Sequence, residues 1–280
     1  MKSIKTRIRS MESTRQITKA MEMVASSKLH HAEERVLHSR PYFETLYRTL
    51  AEIAAATHDF SSPFLTARAE KRVCCIAIAG DRGLAGGYNS NILRLASSCL
   101  AEKEGAVVPI GKKAGEYFRR HGIDSLTDTF LVAENATVSS CFTLAKMLAG
   151  QYRSGSLDAI YLAFTHWDTM LTQSPGLIKL LPLEVPVGGD KGVKKVRSDV
   201  LYEPGCEAVF NAIIPEYIGG VLYGALCESL ASELCARRMA MDNATQNAED
   251  MIGDLSLQYN RARQGAITRE LTEIVAGAEQ

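Results

Sequence analysis

The chain has 280 residues, 46% of them hydrophobic, which is enough for one large domain or two. Its net charge of +0 argues against a chain that binds nucleic acid or anionic membranes over its whole surface. No apolar run reaches the ~18 residues that a membrane span needs, so we expect no membrane-spanning segment. Seven cysteines without CxxC spacing indicate free buried thiols in a reducing compartment rather than a zinc finger or a disulfide framework.

Residues 1–57 are predicted to form one long helix. Pro41 removes a backbone hydrogen bond within it, so we expect a kink or a restart there. The basic start lacks the apolar stretch of a secretory signal; a transit segment is the alternative, and the helical spacing from Ile4 onward argues against it. The apolar side of this helix is predicted at Ile4, Ile8, Met11, Ile17, Met21, Val24, Val36, Leu46, Leu50 and Ile53.

Residues 72–205 are predicted to form an α/β domain, after a linker at residues 57–71. The apolar run Val73–Ala79 is typical of a parallel strand that is buried on both faces. Further strands are predicted at Ala106–Ile110 and Leu157–Phe164, with candidate edge strands at Leu177–Leu183 and Val200–Tyr202 and an exposed loop at Pro186–Asp199. The helices between them are predicted at Ile92–Lys103, Lys112–Arg120 and Val138–Tyr152.

Residues 207–280 are predicted to form a second long helix. From Glu216 onward there is no proline, and apolar or small residues recur every three or four positions from Tyr217 to Ile274. A helix of this kind is roughly 95 Å long, at 1.5 Å per residue, and one globular core cannot stabilise it. It requires a partner helix, an enclosing partner protein, or both.

The charges of the two long helices are complementary. Residues 1–40 carry nine Lys and Arg against four Asp and Glu, whereas residues 207–280 carry five against eleven. This complementarity favours pairing of the two helices. The predicted fold class is therefore α/β, with a long antiparallel coiled coil of the N- and C-terminal helices and an inserted Rossmann-like α/β domain.

Two stretches are candidates for chemistry. The sequence GDRGLAGGYN at residues 80–89 follows a strand and precedes a helix, where phosphates bind, yet it matches neither common nucleotide-binding pattern. A nucleotide site and a tight turn are both open, and the turn is favoured. His166, Trp167 and Asp168 follow another strand, but adjacent residues do not make a catalytic dyad unaided. We therefore predict no catalytic, cofactor-binding or metal-ligating residue.

The predicted seam of the C-terminal helix is unusually rich in small and polar residues. Small residues allow helices to approach closely, but a purely structural rod would use Leu and Ile there. Either the coiled coil is imperfect, or this helix is a shaft that other proteins contact. The residues concerned are Gly220, Gly224, Ala231, Ala244, Ala248 and Ala266, with Arg237, Arg238, Thr245, Asn260 and Gln264 among the polar ones.

Three separated motifs resemble the gamma-subunit family of F-type ATP synthases. They are RIRSMESTRQITKAMEMVASSK at residues 7–28, GDRGLAGGYN at residues 80–89, and the two parts of the C-terminal signature, NATQNA from Asn243 and YNRARQGAITRELTEIVAG from Tyr259. The glycine loop has Ala85 where cysteine is frequent in the family. Arg237-Arg238 stands where one arginine followed by methionine is more usual, and this puts the local packing in doubt.

The resemblance implies a central-stalk rotor with no catalytic site of its own. In that family the terminal helices thread a ring of three alpha and three beta subunits, and the α/β domain forms a foot on the ring of c subunits together with the epsilon subunit. Ion flow turns the rotor, whose asymmetry drives the beta subunits through their states. We expect no cofactor, and a peripheral location at the cytoplasmic face of the bacterial cell membrane within the F1 sector.

The resemblance also implies contact residues. Met21, Arg237, Gln264, Thr268 and Glu270 match positions that contact the beta subunits, and Tyr202-Glu203 matches the foot segment that faces the c-ring and epsilon. Two alternatives come from other classes of protein. One is a nucleotide-binding α/β enzyme with helical oligomerisation arms, and the other is a structural coiled-coil scaffold.

Overall fold

The computed structural model describes residues 1–56, 62–101, 103–127, 132–133, 136–170, 172–184 and 202–278. Helix α1 covers Lys2–Ala56, and helix α5 covers Cys206–Ala278. Between them lie strand β1 (Arg72–Ile78), helix α2 (Tyr88–Leu100), strand β2 (Glu104–Ile110), helix α3 (Lys112–Arg120), helix α4 (Val138–Arg153), strand β3 (Ala159–Trp167) and strand β4 (Gln173–Leu181). The chain divides into two compact units, residues 1–27 with 237–280, and residues 28–236.

The predicted fold class is confirmed: two long helices flank an α/β sheet. Helix α1 continues through Pro41, so the helix does not restart there, and the kink, which is the other expectation, stays a prediction. Strand β4 begins at Gln173, and it ends before Pro182 rather than at Leu183. The predicted division into residues 1–57, 72–205 and 207–280 stays a prediction. The predicted loop at 186–199 lies outside the described residues, as do the first two residues of the candidate strand at 200–202.

The larger unit is built on a four-stranded sheet in the order β2-β1-β3-β4. Strand β1 is parallel to both β2 and β3, and β4 is antiparallel to β3. Side chains of β1 alternate between two cores: Cys74, Ile76 and Ile78 join the core formed with α1, α4 and α5, whereas Val73, Cys75 and Ala77 join the core formed with α2 and α3. Both faces are therefore covered, which explains the continuous apolar run in this strand.

Helix α5 packs closely on the rest of the larger unit. Its apolar residues Phe210, Ile214 and Leu222 belong to the same core as Leu50 and Ile53 of α1. At Gly219 a Cβ atom would lie 2.5 Å from the ring of Phe142 on α4, so glycine permits this approach. By length and composition, a stretch of α5 is apolar enough to cross a membrane, but half of that stretch is buried against protein, which a core helix also shows.

The smaller unit is an antiparallel pair of helical segments, residues 1–27 of α1 and 237–280 of α5. The Thr18 and Thr245 hydroxyls are 2.8 Å apart and buried, and an Arg15 nitrogen lies 3.6 Å from a Glu249 oxygen. On α5, burial follows the 4-3 spacing of a coiled coil at Met241, Thr245, Ala248 and Leu255. The segment therefore pairs through a seam that contains hydroxyl groups as well as apolar side chains.

The predicted apolar side of α1 is wrong at two positions in this unit. Ile17 is 57% exposed and Val24 is 58% exposed, whereas their neighbours Thr18 and Ala25 are buried. The side of α1 that is buried in the helix pair therefore contains Thr18 and Ala25 rather than Ile17 and Val24. Thr18 tolerates burial because its hydroxyl is bonded to Thr245 and to the carbonyl of Arg15.

Candidate functional site

The glycine loop at residues 80–89 is a closed turn between β1 and α2. The Gly80 N–H donates to Asn89 Oδ1 at 2.8 Å, and Asn89 Nδ2 donates back to the carbonyl of Arg82 at 3.2 Å. Leu84 and Gly86 have positive φ angles of 62° and 55°, which a tight reversal of the chain requires. The side chain of Leu84 is exposed. The loop is thus held in shape by its own asparagine.

Two carboxylates, those of Glu233 and Asp81, lie at this loop. A Cβ atom at Gly80 would lie 2.5 Å from Oε1 of the buried Glu233 on α5. Asp81 Oδ1 accepts hydrogen bonds from the N–H of Lys112, at the start of α3, and from the N–H of Ala133. Asp81 thus caps the N-terminus of α3, whereas α2, the helix that follows the loop, has no side-chain cap at Gly87. The two carboxylates of Glu233 and Asp81 nevertheless place negative charge where an anionic phosphate would have to bind. This arrangement favours the tight-turn interpretation over a nucleotide site.

The cavity beside this loop is too small for a nucleotide. Its volume is about 160 Å³, below the range of roughly 300–1,000 Å³ for ligand pockets. One of its lining groups, Thr165 Oγ1, is buried and has no hydrogen-bond partner within the described part of the chain. The lining residues are Gly87, Tyr88, Asn91, Thr165, Gln173, Pro175 and Ala236.

His166 and Asp168 do not form a catalytic pair. His166 Nδ1 lies 3.5 Å from Oε2 of Glu228, whereas Asp168 accepts a hydrogen bond from Ser174. Burial by itself would raise the pKa of Glu228, but hydrogen bonding to His166 and the charge of Arg40 outweigh it and lower that pKa. Across the residues that the structure describes, no group of three His, Cys, Asp or Glu side chains could hold a metal ion.

The smaller unit carries a groove between its two helical segments. The groove has a volume of about 450 Å³ and is lined by charges of both signs. Arg15 and Lys19 lie on the α1 side, and Asp242 and Glu249 on the α5 side. The remaining lining residues are Gln16, Ala20, Met23, Thr245 and Gln246. Such an open, charged groove suits contact with another protein better than enclosure of a small molecule.

Large apolar side chains are exposed along both segments of the smaller unit. The contacts Thr18–Thr245 and Arg15–Glu249 define the register of the pair. In this register Met1 lies beside residues 261–263 of α5. Later residues of α5 therefore have no α1 residue beside them. Exposed apolar residues recur on that later part at helical spacing. The exposed set in this unit includes Ile17, Met23, Val24, Met239, Met251, Leu257, Ile267, Leu271 and Ile274.

The structure brings the predicted beta-contact residues to two levels of the smaller unit. Met21 and Arg237 are both half-buried and lie toward the same end of the segment pair. Gln264 and Thr268 are exposed several turns further along α5, and the Thr268 hydroxyl donates to the Gln264 carbonyl at 2.9 Å. Glu270 lies in α5, but its side chain is outside the described residues.

The predicted foot residues immediately precede α5 in the larger unit. Tyr202 is half-buried against the core, and this burial raises the pKa of its hydroxyl. Glu203 is exposed. The structure therefore separates an anchored residue, Tyr202, from one that is available at the surface.

Sequence reasoning missed two polar networks. One joins Glu228 of α5 to α1 and β3, and the other joins Glu70 to Lys103, Lys179 and Tyr161. No local signal marks either network, because the residues are far apart in sequence. A charged residue at a buried helical position, such as Glu228, is the one feature that could have drawn attention.

The fold defines a class of protein in which an α/β sheet is set between two long helices that pair with each other. A family model described as ATP synthase matches residues 1–280. The chain is 43% identical to the ATP synthase gamma chain of Alkaliphilus metalliredigens, over 100% of this chain and 98% of that protein. It is 42% identical to that of Ruminococcus albus, over 98% of this chain and 96% of that protein. The chain therefore belongs to the ATP synthase gamma chain family.

Solved structures share the fold at lower sequence identity. A chain of Euglena gracilis mitochondrial ATP synthase, in a structure of OSCP, F1 and c-ring in rotational state 3, matches with a TM-score of 0.64 and 18% identity, over 98% of this chain and 92% of that chain. The central stalk and c-ring structure from Tetrahymena thermophila matches with a TM-score of 0.60 and 22% identity, over 81% of this chain and 99% of that chain.

Proposed function

We propose that the chain is the central-stalk rotor subunit of an F-type ATP synthase. It couples ion flow through the c-ring to ATP synthesis or hydrolysis at the beta subunits. Family membership and the shared fold of central-stalk chains support this function. The observation that carries it is the exposed apolar surface of the smaller unit, since patches of this kind on a soluble helix pair indicate an enclosing partner.

The partners of the rotor are the alpha and beta subunits, the epsilon subunit and the c-ring. The smaller unit contacts the ring of alpha and beta subunits, through Met21, Arg237, Gln264, Thr268 and Glu270 on the beta side. The larger unit forms the foot, where Tyr202 and Glu203 face the c-ring and epsilon. The complex is peripheral, at the cytoplasmic face of the bacterial cell membrane.

The rotor acts by making different contacts in different orientations. A partner's conformational equilibrium shifts only if the shaft contacts its states differently. The smaller unit has the required asymmetry, because Ile17 and Val24 present apolar groups whereas the groove beside Arg15 and Glu249 presents charges. Each beta subunit therefore meets a different surface at each rotor angle.

Catalysis belongs to the partner subunits rather than to this chain. At the glycine loop, where a phosphate could otherwise bind, the chain places the carboxylates of Glu233 and Asp81. This supports a tight turn rather than a nucleotide site. A nucleotide-binding enzyme with helical arms would instead bind ATP as the isolated chain. Equilibrium binding of a labelled ATP analogue to the isolated chain separates the two functions, and we expect no saturable binding.

Rotation tests the proposal directly. The chain is assembled with alpha and beta subunits fixed to a surface, and a bead is attached to the foot. We expect ATP-driven unidirectional rotation of the bead. Absence of rotation in a correctly assembled, ATP-hydrolysing complex contradicts the rotor function, and a static scaffold gives that result.

A further inference from the structure

Polar side chains of helix α5 bond to the carboxyl end of β3 and approach the backbone just after β1. Strand β3 continues beyond Ala163, which is its last residue paired with β1. There the Thr165 N–H donates to Ser229 Oγ at 3.3 Å, and Ser232 Oγ donates to the Thr165 carbonyl at 3.3 Å. Both serines are fully buried. Side chains of α5 thus provide hydrogen bonds that a neighbouring strand would otherwise provide.

Glu228 joins three elements at the same place. Its carboxylate accepts from the Trp167 N–H at 3.4 Å, lies 3.5 Å from His166 Nδ1, and accepts from the Arg40 guanidinium of α1 at 3.3 Å. Its side chain is 13% exposed. One carboxylate therefore connects the sheet, α1 and α5.

Glu233 makes a further contact one turn later along α5. Its carboxylate packs against Gly80, two residues after the end of β1, so closely that a Cβ atom on Gly80 would collide with it. We call the whole set the polar joint. It consists of Gly80, Arg40, Thr165, His166, Trp167, Glu228, Ser229, Ser232 and Glu233.

The polar joint differs in kind from the rest of the packing between α5 and the sheet. The preceding turns of α5, from Phe210 to Leu226, contribute apolar side chains to the core. Apolar burial is non-directional, so it resists separation of the two surfaces more than it resists their turning against each other. Hydrogen bonds and ion pairs depend on direction, and charge-assisted ones are the strongest.

We propose that the polar joint sets the rotational angle of the α/β sheet on α5 and transmits torque between them. This inference rests on the proposed rotor function, and it names the residues that transmit torque within the foot. Glu228 is its central positioning residue, because it is the member that contacts both long helices and the sheet.

The test measures the torsional stiffness of the rotor. In the complex with fixed alpha and beta subunits, the variance of the thermal angular motion of a bead on α3 is recorded without ATP. Glu228→Gln removes the charge and one of the two acceptor oxygens, and it turns an NH₂ group toward either Arg40 or the Trp167 N–H, so the contacts that depend on both oxygens are lost. We expect the variance to rise by up to about twofold. The double variant Ser229→Ala, Ser232→Ala is expected to change it in the same direction.

Glu216→Gln is the matched control. Glu216 lies on the same helix, and its ion pair with Lys146 is at the surface. Hydrogen exchange at the Thr165 and Trp167 amides reports whether the contacts have loosened in a folded chain. Unchanged variance in Glu228→Gln despite faster exchange overturns the proposal, and so does an equal rise in Glu216→Gln. If the serine variant does not fold, Glu228→Gln decides alone.

The two proposals fail in different ways. Because the stiffness is measured without ATP, it can be obtained even from a complex that does not rotate. A complex without ATP-driven rotation contradicts the rotor function, whereas a rotating complex with unchanged stiffness contradicts the polar joint alone.

Discussion

Among the glycines that the structure describes, Gly111 is the one at which the backbone most strictly requires glycine. Its φ angle is 95°, and a Cβ atom would collide with the carbonyl oxygen of Ala79. The neighbouring atom belongs to the backbone at the end of β1, where the Ala79 N–H also bonds to the carbonyl of Ile110. It therefore cannot move aside as a flexible side chain would.

Gly111→Ala is expected to lower the free energy of unfolding by at least about 2 kcal/mol, because it adds left-handed strain to a backbone collision. Gly150→Ala is the matched control. Gly150 lies in α4, and a Cβ atom there would have nothing within 4 Å, so alanine should raise stability by roughly 0.5–1 kcal/mol. Urea unfolding checks both; equal effects of the two variants contradict this interpretation.

Met21 is the residue at which contact with a partner can be tested most simply. It is half-buried on α1 in the smaller unit. Met21→Lys adds a cation to the proposed contact with the beta subunits and is expected to impair ATP-driven ion pumping more than ATP hydrolysis or folding. Leu37→Lys, at an exposed apolar site of the same helix in the larger unit, is the control. Normal pumping by Met21→Lys would show that this contact is misplaced.

At the scale of elements, Glu70 connects the segment before β1 to the residue just before β2 and to strands β3 and β4. Lys103 and Lys179 each place Nζ 2.8 Å from its carboxylate, and the Tyr161 hydroxyl donates to it at 2.7 Å. The hydrogen bond from Lys103, followed by those from Lys179 and Tyr161, lowers the pKa of Glu70 from 4.5 to about 2. The carboxylate is thus charged in the folded protein even in moderately acidic solution.

The pH dependence of stability follows from this shift. Because the folded-state pKa lies below the unfolded one, the stabilisation is complete above pH 4.5 and is lost as the pH falls toward 2. Glu70→Gln is expected to lower the free energy of unfolding by about 2 kcal/mol at pH 7, and by progressively less below pH 4.5. Urea titrations at several pH values measure the difference.

Glu44→Gln, at an exposed position of α1, is the control for this titration. Its effect should be small at every pH. A gap between Glu70→Gln and the unsubstituted chain that stays constant from pH 7 to pH 3 contradicts the assigned role of the Glu70 carboxylate.

At the scale of the whole molecule, the last part of α5 is a surface without a partner inside the described chain. Ile267, Leu271 and Ile274 are exposed there. Removal of residues 264–280 is expected to change the free energy of unfolding by less than about 0.5 kcal/mol, because it uncovers little core. It should nevertheless reduce the ATP-driven torque of the assembled complex, since partner contacts are lost.

Two further variants of the chain test this prediction. Removal of residues 279–280 alone is the control and should leave torque unchanged. Substitution of Ile267, Leu271 and Ile274 by serine keeps the helix length and should reproduce the loss of torque. Full torque in both the truncated and the serine chain would contradict a contact role for this part of α5. Bead rotation against viscous load measures the torque.

The sequence by itself determined the two long helices, the buried strands between them and the family, because these follow from local spacing and from motifs of adjacent residues. Only the tertiary structure decided that Thr18 rather than Ile17 lies in the seam, and that Glu233 fills the space at the glycine loop. The partners Thr18 and Thr245 are separated by 227 residues in sequence. Their meeting depends on the register in which the helices pair, and local periodicity leaves that register open by a residue. The contacts of the polar joint are likewise set by how α5 crosses the sheet.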